Sequence, residues 1–92
     1  MAKAIVTVDF GSVQTDRGDF TITDATFAGL TYVEAFFMSS DSTVDNDSIA
    51  HEMVADLIRL SCDAPVGNDV VIHARATAWT IAKTMKVRLV GN

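Results

Sequence analysis

Cys62, His51 and His73 are the side chains best equipped for chemistry, since a cysteine nucleophile needs an imidazole base within reach. Cys62 lies just after Leu60 in an apolar run, a setting that raises a thiol pKa and weakens the nucleophile. It therefore reads as an inert, buried thiol, and a single cysteine builds no internal disulfide framework. Asp41, Asp45, Asp47, His51 and Glu52 crowd one loop, and oxygen donors at such spacing can wrap a calcium ion. The spacing matches no EF-hand loop, however, and the glycine of its sharp turn is missing. Solvated acids, with Asp47 capping a helix, account for the same residues. No Gly-x-Ser-x-Gly elbow, phosphate loop or dinucleotide fingerprint occurs. The expectation is a chain that is not an enzyme and carries no metal or cofactor.

Two short motifs invite simpler explanations. Arg17-Gly18-Asp19 spells an adhesion tripeptide, but a turn that needs Gly18 at positive φ explains it. Asn46-Asp47-Ser48 matches a glycosylation acceptor, yet the N-terminus carries no readable secretory signal. Trp79 stands between two strands, where it can anchor a protein contact, stack on a sugar or fold over the end of the core.

The elements that must position these residues are mostly strands. Ala4, Val6, Val8 and Phe10 alternate with Ile5, Thr7 and Asp9 over residues 3–10. A turn is expected at 16–19 and a short strand at 20–23. Residues 32–39 read as a strand with apolar residues on both faces: Tyr32, Phe36 and Met38 on one, Val33, Ala35 and Phe37 on the other. Such a strand is covered on both sides, and in so short a chain the second cover is another subunit. Residues 49–62 fit both a helical stripe (Ile49, Met53, Leu57, Leu60) and an alternation (Val54, Asp56, Ile58, Leu60, Cys62). The expectation is a helical turn near 47–52 followed by a strand at 54–62. Pro65 to Asp69 is a turn cluster, and strands are expected at 70–77 and 85–90. The fold class is all-β with minor α, a small antiparallel sandwich or barrel of about six strands in one domain over residues 1–92.

Composition bounds the partners. The chain has 92 residues, 49% of them hydrophobic, more apolar material than a lone domain of this size easily hides. Its net charge of −5 argues against nucleic acid, and no apolar run is long enough to cross a bilayer as a helix. All twelve acids lie between Asp9 and Asp69, whereas Arg75, Lys83, Lys86 and Arg88 follow with no acid among them. This basic tail can pair across strands within one subunit, or meet acids of a neighbour.

Several stretches resemble a class of small proteins encoded among the virion genes of tailed phages and prophages. They are Val6-Thr7-Val8-Asp9-Phe10-Gly11, Tyr32-Val33-Glu34-Ala35-Phe36-Phe37-Met38, the acidic loop ending in His51-Glu52, Leu60-Ser61-Cys62, and Met85-Lys86-Val87-Arg88-Leu89-Val90. The class more usually has a Gly-rich turn and an aromatic strand where this chain has Asn68-Asp69-Val70-Val71-Ile72. It also tends to end in a Trp-rich strand where this chain has Leu89-Val90-Gly91-Asn92. The resemblance covers most of the chain and implies a β-rich virion component on a capsid, tail or fibre. The expectation is a structural protein made in the host cytoplasm and carried in the virion, with itself (as a homo-oligomer) and other virion proteins as partners. Tyr32, Phe36, Phe37 and Trp79 would bury surface at the contact, while Arg75, Lys86 and Arg88 meet acidic groups and set register. The alternative is a small carbohydrate-binding module built from Trp79, Tyr32 and the acidic loop.

Overall fold

A computed structural model describes residues 2–76 and 80–92. The strands are β1 (Ala2–Asp9), β2 (Arg17–Thr23), β3 (Val33–Phe37), β4 (Ile58–Cys62), β5 (Asp69–Ala76) and β6 (Thr84–Gly91). One helix, α1 (Ser48–Leu57), leads directly into β4, and a 3-10 turn (Ala25–Phe27) follows β2. The strands form two antiparallel three-stranded sheets, β1-β6-β3 and β2-β5-β4. The expected all-β class with minor α holds.

Alternation builds the core. On the first sheet Val8, Met85, Val87, Leu89, Val33, Ala35 and Phe37 point inward and are buried. Val70, Ile72, Ala74 and Ile58 meet them from the second. Each of the larger of these side chains (Val, Leu, Ile, Phe or Met) contributes about 1.5–3 kcal/mol when fully buried. Phe10 joins the layers, packing edge-on against Phe20 at 4.7 Å and tilted against Phe37 at 5.9 Å. Between β4 and β5, Val66 and Asp69 exchange two 3.0 Å backbone bonds around Gly67 (φ 59°), the turn that the Pro65–Asp69 cluster predicts.

Three local expectations need correction. Gly18 lies inside β2 and its φ is not positive. What requires glycine there is space, because an added Cβ would sit 2.6 Å from the Phe20 ring. Residues 54–57 are helical rather than extended: Asp47 caps α1 by accepting from the Ala50 N–H at 2.8 Å, and the Ile58 N–H still bonds the Val54 carbonyl. The helix also turns the other way. His51, Val54 and Ile58 are buried, whereas the Ile49, Met53 and Leu57 stripe faces solvent.

Candidate functional site

The outer face of the first sheet is built in register. Ile5, Arg88 and Phe36 stand side by side across the three strands, and Lys3, Val90 and Glu34 form the next row. Thr7 and Lys86 begin a third. The Arg88 guanidinium carbon lies 5.4 Å from the centre of the Phe36 ring. At an exposed site this stacking is worth roughly 0.5–1 kcal/mol. Tyr32 occupies the corner of the same face, its backbone exchanging bonds with Asn92 at 3.3 and 3.2 Å. Ile5, Tyr32 and Phe36 are 55%, 49% and 42% exposed among the described residues.

The face gathers Tyr32, Phe36, Lys86 and Arg88 from the expected contact set and leaves out the rest. Phe37 points the other way and is buried in the chain's own core, so it presents nothing to a neighbour. This follows from alternation: Phe36 and Phe37 are adjacent in an extended strand and face opposite sides. Arg75 lies on the outer face of the second sheet, where it donates to the Ala74 carbonyl at 2.8 Å and meets Asp19 at 3.5 Å. Trp79 falls outside the described residues. Ile5 was missed, although its position among the polar residues of β1 already marked it as an apolar side chain facing out.

The groups capable of chemistry are occupied separately. His73 bridges two carboxylates, with Nδ1 2.6 Å from Asp19 and Nε2 3.1 Å from Asp63. Hydrogen bonding to Asp19 first, and then to Asp63, raises its pKa above the ordinary 6.5. The same bond lowers that of Asp19. With both ring nitrogens engaged, His73 has no lone pair for a nucleophile. Desolvation, helped by the Asp63 charge, pushes the Cys62 thiol up to about 11, although the side chain is half-buried rather than buried as expected.

The acidic loop is stitched to the start of β6. Asp45 accepts from the Thr84 hydroxyl at 2.6 Å, and Asn46 donates to the Ala82 and Thr84 carbonyls at 3.1 and 2.8 Å. Asp41 accepts from the Ser42 N–H, Asp47 caps α1, and His51 is wholly buried. Among the described residues no group of three or more His, Cys, Asp or Glu side chains is arranged to hold a metal ion. Asp45 and Tyr32 sit at opposite ends of β6, about 25 Å apart along an eight-residue strand. Tyr32 and the acidic loop therefore do not form one sugar-binding surface.

No family model, curated protein or solved structure matches this chain.

Proposed function

We propose that this chain is a non-catalytic structural protein of a virion, docked on a neighbouring virion protein through the outer face of its β1-β6-β3 sheet. The observation that supports this is the Ile5–Arg88–Phe36 row with Tyr32 beside it, an apolar and cationic surface displayed on a rigid three-stranded platform. Aromatic side chains with arginine are the residues on which interface energy concentrates. Arg88 and Lys86 have no ion-pair partner among the described residues, which leaves them for acids of the docking partner. The resemblance of the chain to phage virion components supplies the setting, with the location (capsid surface, tail or fibre) belonging to the partner.

The test is mass spectrometry of purified virions from the source of this sequence. The chain should be present in a fixed ratio to the major structural proteins. Phe36→Asp and Arg88→Glu, supplied in place of the wild type, should lower its incorporation while the isolated variants keep their melting temperature. Absence from the particle, or undiminished incorporation of both variants, would sink the reading. Selective binding on a glycan array would favour the carbohydrate alternative instead.

A further inference from the structure

The free edge of β1 is self-complementary. The strand is eight residues long, Ala2–Asp9, and among the described residues it pairs with β6 alone. The Phe10 N–H bonds the Lys83 carbonyl, so even-numbered residues of this segment turn their backbone groups toward β6. The N–H and C=O groups of Lys3, Ile5, Thr7 and Asp9 therefore point out along the open edge. Natural edges are blunted by proline, bulges or central charges. Ala4 to Val8 contains none of these. The flank beneath is open as well: Ala2, Ala4 and Val6 face inward yet remain only half-buried, whereas Leu89 and Val87, the β6 partners of Ala4 and Val6, are completely buried.

We infer that two copies of this chain pair through β1, antiparallel about a two-fold axis at Val6, joining their first sheets into one continuous six-stranded sheet. The register follows from hydrogen-bond parity and charge. Odd residues carry the outward backbone groups, so odd must meet odd. Centring the pair on Val6 sets Lys3 opposite the partner's Asp9, Ile5 opposite its Thr7, and Val6 opposite itself. Both charged residues of β1 are neutralised, once at each end, and neither has an ion-pair partner within the described residues. With each outward pair exchanging two bonds, the junction holds about eight backbone hydrogen bonds. A C2 contact of this kind closes on itself and stops at two copies.

The pairing uses the backbone edge of β1, whereas Lys3, Ile5 and Thr7 turn their side chains to the docking face; purified chain without virion proteins reads the pairing alone. Charge reversal tests it in purified protein by light scattering and sedimentation over a range of concentrations. Wild type should be a dimer. Lys3→Glu sets two acids together at each end, Asp9→Lys sets two bases together, and each should weaken the dimer on the order of tenfold. The double variant Lys3→Glu/Asp9→Lys restores the pairing with reversed sign and should recover it. Asp9→Lys also loses the 2.9 Å bond from the Gly11 N–H, so amide exchange of the wild type provides a second readout. Protection at Ile5 and Thr7 should rise with protein concentration. A monomeric wild type, a dimer indifferent to both single variants, or a double variant no better than either would overturn the pairing.

Discussion

The His51 imidazole stands in for a missing strand residue: its Nε2 accepts a 2.8 Å bond from the Lys86 N–H just where β3 ends. The Met38 N–H still reaches the Lys86 carbonyl, but the Met38 carbonyl has turned away to accept from the Asp41 N–H. The other ring nitrogen, Nδ1, lies 2.9 Å from the Asp47 carbonyl. Since Nε2 accepts, Nδ1 must carry the proton, and the buried ring is a neutral tautomer with both nitrogens satisfied. A single side chain thus ties α1 to β6, the central strand of the sheet whose outer face is proposed to dock.

Replacing His51 by leucine keeps much of the volume and removes both bonds. The Lys86 N–H is left buried without a partner, at about 1–3 kcal/mol. Thermal unfolding followed by circular dichroism should show a drop of roughly 4–20 °C in a domain of this size. An unchanged melting temperature would mean that the bond contributes nothing to holding the helix.

The sheets were legible because their strands alternate, and β1, β5 and β6 fall within about two residues of their expected bounds. The first turn of the helix was legible too, with its Asp47 cap, but its continuation to Leu57 was not, for an identifiable reason. Val54 and Ile58 are four apart, so they share a helix face and also a strand face, and either period fits them. The choice was made by the Asp47 cap and by His51, a polar residue whose burial depends on partners distant in sequence. The same limit hid the correct role of Gly18, which lies in the fold of the Phe20 ring rather than in a turn. Alternation also separates Phe36 from Phe37, whereas grouping by residue type puts both at one contact.

Gly18→Ala probes that ring directly. The new methyl would displace Phe20 from its edge-on contact with Phe10, an overpacking cost of about 1–3 kcal/mol. The lower entropy of the unfolded alanine chain offsets part of this, about 0.4–1 kcal/mol. A net loss of stability is expected. In a Phe20→Leu background, where no ring folds back, the same substitution should be neutral or stabilising. Equal effects in both backgrounds would remove Phe20 as the cause.

The His73 bridge predicts a specific pH dependence. Its folded pKa is raised, so its contribution is complete below the unfolded value near 6.5 and is lost as pH rises through the folded value. Asp19 is shifted down from 3.8, so its contribution is present above that value and lost as pH falls through the folded one. The window of greatest stabilisation runs from about pH 4 to 6.5. Melting curves of wild type and His73→Gln should differ most inside that window and converge on the alkaline side. A gap independent of pH would indicate packing rather than charge.

Arg17, Arg75 and Arg59 stand directly opposite one another across the second sheet, three like charges in a single row. Asp16 and Asp19 meet the first two at 3.5 Å, while Arg59 has no ion-pair partner among the described residues. Like charges opposite one another destabilise a sheet, and an opposite-charge pair stabilises it by about 0.2–1 kcal/mol. Arg59→Glu would turn the Arg59–Arg75 repulsion into attraction and should raise the melting temperature by a few degrees at low salt. The gain should shrink as added salt screens the row, since the Debye length falls to about 3 Å at 1 M. A variant less stable than wild type at low salt would mean that the Arg59 stem contributes packing at the β4 edge that outweighs the repulsion.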